Sequence, residues 1–122
     1  MGLTLARWYM AGVKRVLLAG FIVACHGDPT GGAVDGPTIF AAACARCHGP
    51  NGKPDATSVA RLNVRDLTSP DLRARVTPAL VENQVRLGSP NHLMPSFVGA
   101  LTDDQMRAVA SYVASPAFLA HE

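Results

Sequence analysis

Apolar and polar positions follow three different patterns along this chain. Residues 16–24 form one unbroken apolar run, Val16-Leu17-Leu18-Ala19-Gly20-Phe21-Ile22-Val23-Ala24, preceded by Arg7, Lys14 and Arg15. Residues 25–35 have no periodicity and are rich in Gly and Pro. From residue 36 onward apolar residues return at helical spacing. Ile39, Phe40, Ala43, Cys44 and Cys47 share one face of a predicted helix, with Pro37 in its first turn, where no intrahelical N–H bond is needed, and Gly49 as its stop. The last stripe is Met106, Val109, Ala110 and Val113. It predicts a helix capped by Thr102, with Gln105 completing a capping box and Leu101 and Met106 fitting a hydrophobic staple. Asp103 and Asp104 complement the positive end of its dipole, and Ser115-Pro116 ends it. Pro70–Arg75 and Pro78–Leu87 predict two shorter helices, each with a Ser or Thr at its N-cap and Pro at its first position. No run of strands competes, so the expected class is all-α.

A chain of 122 residues is long enough for one domain and a short leader. A globule this small buries a modest core, and a large covalently held cofactor would help it fold. The formal charge is +2, but the excess sits in the leader. Removing Arg7, Lys14 and Arg15 from the eleven basic residues leaves eight against nine acidic ones, about −1. No basic face for nucleic acid is present in that balance.

Residues 1–24 fit an export signal, and Met10, followed by Lys14-Arg15, is a candidate start. The apolar run is shorter than the ~20 residues that cross a bilayer as a helix, so a permanent membrane span is not expected. The run ends Ile22-Val23-Ala24-Cys25, which resembles the lipobox of bacterial lipoproteins. That resemblance implies a diacylglycerol on the Cys25 thiol and cleavage before it. Several acyl chains on one residue give durable anchoring. The plainer alternative is an ordinary signal peptide in which Cys25 is incidental. Residues 25–35, His26 included, then read as a flexible tether.

Cys44-Ala45-Arg46-Cys47-His48 is the C-x-x-C-H pattern of covalent haem attachment. Two thiols three positions apart lie on one face of a helical turn, where each can add to a haem vinyl group, and the next residue brings its imidazole under the iron. Three other uses of such a pair compete. A thioredoxin-like redox pair should follow a strand in a βαβ unit. A zinc site needs a second ligand pair, and none is present. A disulfide across the pair leaves His48 unexplained.

Over residues 36–114 the chain resembles class I cytochromes c. Gly36 and Phe40 match the family's small and aromatic positions ahead of Cys44. Leu93-Met94-Pro95-Ser96-Phe97 matches its methionine in a proline-bearing loop before the final helix. The resemblance implies a fold in which N- and C-terminal helices cross and loops and short helices wrap one haem. It also implies Met94 as the distal iron ligand and Tyr112 as partner for Gly36 and Phe40. His92, two residues from Met94, competes for the iron, while Met106 fits core packing better. One departure stands out. Many members have a proline whose carbonyl accepts a bond from the proximal imidazole, and the stretch Arg65-Asp66-Leu67 lacks it.

The expectation is therefore an exported mono-haem electron carrier with haem c on Cys44 and Cys47 and iron on His48 and Met94. Cys25 would carry the lipid that holds it on the periplasmic side of a bacterial membrane. The organisation expected is a leader (1–24), a tether (25–35), the cytochrome domain (36–115) and a C-terminal tail (116–122). A monomer is expected, with transient membrane-bound redox partners. The alternatives are a sensor or enzyme domain whose distal ligand leaves the iron, or a fixed subunit of a membrane oxidoreductase.

Overall fold

The computed structural model describes residues 28–120. The leader and Cys25 lie outside the described residues. The elements are α1 (Gly36–Ala43), α2 (Ala45–His48), α3 (Ala56–Leu62), α4 (Pro70–Arg73), α5 (Pro78–Leu87) and α6 (Asp103–Ala114). A 3-10 turn, Pro116–Leu119, follows. Among the described residues the only β feature is a single bridge between Val98 and Leu101, so the domain is all-α as the periodicity predicted.

The core lies where α1, α5 and α6 meet. Ile39 and Phe40 of α1, Val85 of α5, and Met106, Val109, Ala110 and Val113 of α6 are all buried, with Leu101 and Phe118. α1 and α6 approach at Gly36. A Cβ there would stand 2.4 Å from Tyr112 Cβ and 2.7 Å from the Ala108 carbonyl oxygen. Only hydrogen fits in that gap. One turn further along α1, the Phe40 ring meets Tyr112 edge-on at 6.1 Å between centroids. The pairing expected of Tyr112 with Gly36 and Phe40 is therefore present.

α6 is closed at its start by the capping box. Thr102 Oγ1 accepts from Gln105 N at 3.2 Å, and Gln105 Oε1 accepts from Thr102 N at 2.8 Å. Leu101 and Met106 are buried as a staple requires. The other end is closed from outside the helix. The Arg73 guanidinium donates to the carbonyls of Val113 at 2.7 Å and Ser115 at 3.0 Å, where a cation also suits the helix dipole.

The structure departs from the sequence reading in four places. α4 ends at Arg73, because Arg75 and Val76 both bond back to the Leu72 carbonyl and close a turn. α3 had no apolar stripe to announce it. It begins where the Asp55 carboxylate accepts the Thr57 and Ser58 N–H groups, and none of its residues is buried. Residues 116–119, read as the start of a tail, turn Phe118 back into the core at 2 % exposure. Its ring packs edge-on against both Phe40 and Tyr112.

The fourth departure concerns residues 28–33, read as part of the tether. They form a turn in which Asp28 accepts from Thr30 N at 2.8 Å and Gly32 N at 3.1 Å. Gln105 Nε2 then donates to Asp28 at 2.9 Å, Thr30 Oγ1 at 3.0 Å and the Ala33 carbonyl at 2.8 Å. One buried amide thus ties this turn to the first turn of α6.

Gly36→Ala should destabilise the haem-loaded protein by about 1–3 kcal/mol in urea unfolding, from overpacking. The same change at an open helical site gains up to about 1 kcal/mol, so the sign isolates the close approach.

Bonds from Gln105 and then Thr30 hold the Asp28 carboxyl at about 2, below the ordinary value of about 3.9. A depressed folded value means the turn gains from ionised Asp28 above that ordinary value, and loses the gain as pH falls towards 2. The Gln105 side-chain amide signal should keep its bonded NMR shift at about pH 4 and lose it with a midpoint near about pH 2. Asp28→Asn should remove that pH response.

Candidate haem-binding site

The C-x-x-C-H segment is wound as a single helical turn. α1 stops at Cys44, whose φ of −116° departs from helical values, and α2 restarts at Ala45. The Cys44 carbonyl accepts from both Cys47 N (3.1 Å) and His48 N (3.0 Å). Gly49 then turns the chain away at φ +79°, where a Cβ would lie 2.2 Å from the Lys53 carbonyl oxygen. Cys44 is half-buried and packs against the core cluster, whereas Cys47 is exposed. Both thiols are free. Burial, and then the neighbouring Cys47, push the Cys44 thiol up to about 11.

His48 is held from across the chain. Its Nδ1 lies 3.1 Å from the Arg65 carbonyl oxygen. A carbonyl only accepts, so Nδ1 carries the proton and Nε2 keeps the lone pair that a metal needs. Burial also pushes the imidazole pKa down, against the raising effect of the Arg65 bond, and so favours the neutral form that ligates. The proline missing from this stretch is thus replaced by an ordinary backbone carbonyl. That carbonyl is itself positioned by its neighbours: Leu67 N bonds the Gly52 carbonyl at 2.8 Å, and Asp66 closes a turn on Thr68 N at 2.8 Å. A main-chain acceptor leaves no side-chain signature, which is why the sequence pointed to no residue for this role.

Met94 comes from a loop stapled to the end of α5. Its N–H bonds Ser89 Oγ at 3.0 Å, and its carbonyl accepts from Ser89 N at 2.9 Å. Ser96 Oγ donates to the Arg86 carbonyl at 2.6 Å, and Phe97 N to the Val85 carbonyl at 3.0 Å. Gly88 makes room for this, since a Cβ there would lie 2.6 Å from the Met94 carbonyl oxygen. The Met94 side chain is half-buried and packs against the same core cluster as Cys44. His92 is exposed, with φ +59°. Met106 is buried within α6 at 1 % exposure. Ser89 was not legible as part of the site, because a serine after a helix-ending glycine is an ordinary loop residue.

The other uses of the cysteine pair find no support. Among the described residues no strand precedes it, and both thiols are free. Among the described residues no group of three His, Cys, Asp or Glu side chains could hold a metal by itself. The donor set instead suits haem c: two free thiols one helical turn apart, and an imidazole oriented through its second nitrogen. The described residues also expose large apolar side chains, among them Val59 and Leu62 on α3, Leu80 and Leu87 on α5, and Leu93 and Val98 in the Met94 loop.

The profile of the cytochrome c family matches residues 33–116. The chain belongs to the cytochrome c family. Such a domain carries covalently attached haem and serves electron transfer. Among solved structures the chain is similar to the KustC0563 c-type cytochrome, at 25 % identity and a TM-score of 0.58. The match covers 66 % of this chain and 94 % of that one. No curated protein matches it. Among the described residues, no helix of this cytochrome is long and apolar enough to cross a membrane.

Gly88→Ala should cost about 1–3 kcal/mol in urea unfolding, from a strained positive φ and a contact with the Met94 carbonyl. Ser89→Ala should cost about 1 kcal/mol, the size of a lost hydrogen bond at a half-buried site. Equal stability of the Gly88 variant and the parent would show that the loop does not sit on α5 as described.

Proposed function

We propose that this cytochrome carries single electrons through one haem c, held on Cys44 and Cys47, with iron ligated by His48 and Met94. It acts as an exported monomer, fastened by lipid on Cys25 to the periplasmic side of a bacterial membrane. The observation that carries the ligation is the double hold on Met94. Both its N–H and its carbonyl are bonded to Ser89, while its side chain lies against the core that also receives Cys44.

Haem c bound here supplies a reversible Fe(III)/Fe(II) couple. The chain does the rest. Cys44 and Cys47 would hold the haem as thioethers, each S–H adding across a vinyl double bond with no oxidant needed. His48 presents Nε2, aimed by its bond to Arg65. Met94 adds a soft, neutral thioether that favours the ferrous state and raises the potential relative to two histidines. His48 and Met94 sit on hydrogen-bonded segments, so little of the chain would have to move when one electron arrives. That suits a carrier meeting partners through weak, transient contacts.

The leader supports the other half of the reading. Ile22-Val23-Ala24-Cys25 follows a basic and then an apolar segment. A lipid on Cys25 would confine the search for membrane-bound donors and acceptors to a surface and raise their effective concentration.

Spectra of the purified protein in both oxidation states test the site. Thioether-shifted reduced bands should survive denaturation, and the ferric form should show the weak iron–sulfur charge-transfer band. Met94→Ala should abolish that band and lower the reduction potential while the haem stays covalently attached. A persisting band in the variant, or bis-histidine features in the parent, would transfer the distal role away from Met94 and towards His92. Mass spectrometry of the mature amino terminus tests Cys25.

A further inference from the structure

We infer that the turn at residues 28–33 is a strap that holds this cytochrome against the lipid headgroup layer, with the first turn of α6 towards the bilayer. The inference rests on the proposed lipid at Cys25. An eleven-residue coil from 25 to 35 would have an r.m.s. reach of about 18 Å and leave the domain free to tumble. The chain does not offer that length. From Asp28 onward it is bonded: Asp28 and Thr30 to each other, Gly31 N to the Asp28 carbonyl at 3.1 Å, and Ala33 N to the Thr30 carbonyl at 3.2 Å.

Gln105 makes the strap part of the domain. It is 3 % exposed, and its carbonyl is occupied by the α6 capping box while its amide meets Asp28, Thr30 and Ala33. Thr30 is buried with it. What remains between the anchoring residue and the first bonded residue is Cys25 to Asp28, at most about 10–11 Å of chain. That is less than the diameter of the domain, about 34 Å for a sphere with the usual radius of gyration of a hundred residues. A domain on so short a lead cannot present every face to the membrane.

Asp103 pairs with Arg86 at 2.9 Å, an arginine that Glu82 shares at 2.8 Å, and Asp104 pairs with Arg107, so arginines offset part of the negative charge of the first turn. The consequence for partners is geometric: a donor or acceptor must offer its redox site close to the bilayer plane.

The test uses the full chain, exported and processed, reconstituted into phosphatidylcholine–phosphatidylglycerol nanodiscs carrying a paramagnetic headgroup label. Amide relaxation is read on the ferrous protein. Amides of residues 28–33 and 102–107 should relax several-fold faster than the domain average. Asp28→Ala, at a site outside the haem machinery, should flatten that contrast without altering the haem spectrum. Uniform relaxation across a protein whose mass shows lipid on Cys25 overturns the strap and leaves the anchor standing. A mature amino terminus without lipid overturns both.

Discussion

The close approach of α1 and α6 at Gly36 sets the frame on which the haem site hangs. With a glycine hydrogen facing Ala108 and Tyr112, the helices meet at a distance that no side chain would allow. Phe40, Tyr112 and Phe118 then lock the crossing edge-on, one ring against the next. From this crossing the two halves of the site follow by chain connectivity. α1 runs directly into the thiol–imidazole turn, and α6 is entered from the loop that bears Met94. The segments that bear His48 and Met94 therefore both start from one rigid contact, although 46 positions separate the two residues.

From that frame His48 and Met94 are held by main-chain groups and one serine hydroxyl. A carbonyl, that of Arg65, sets the His48 ring, and the Ser89 main chain and hydroxyl hold Met94. Main-chain acceptors move only if the fold moves, so they suit a site that should keep one geometry in two oxidation states. The glycines around the site serve the same end. Gly49 and Gly88 let the chain turn at positive φ within contact distance of other backbone atoms, which brings the haem turn and the methionine loop in close. Rigidity reaches as far as Asp28, so a lipid at Cys25 would act on an oriented body.

Much of this was legible from side-chain pattern alone. C-x-x-C-H declares its chemistry by spacing, and the α6 capping box, the staple and Ser115-Pro116 fixed that helix to the residue. Met106 fell where the apolar stripe put it, and Tyr112 where the family resemblance implied. What stayed hidden falls under two physical causes. Helices without a buried stripe give no periodic signal: α3 rests on Asp55 as its cap and buries nothing. Long-range bonds from ordinary residues give no signal either. Gln105 reads as the third residue of a capping box, and nothing in the sequence says that its other end grips Asp28, Thr30 and Ala33. The Arg65 carbonyl and the return of Phe118 into the core belong to the same class, since each depends on which segments meet.

The central claim is that this is a closed electron-transfer site, held shut by Met94. Carbon monoxide binds ferrous haem only where an axial position is open, so exposure of the reduced native protein to CO, followed by absorption, reads the claim directly. The account predicts a spectrum unchanged on the timescale of mixing, with CO binding appearing in Met94→Ala. Rapid CO binding by the native ferrous protein would contradict it and identify a site built to exchange its distal ligand.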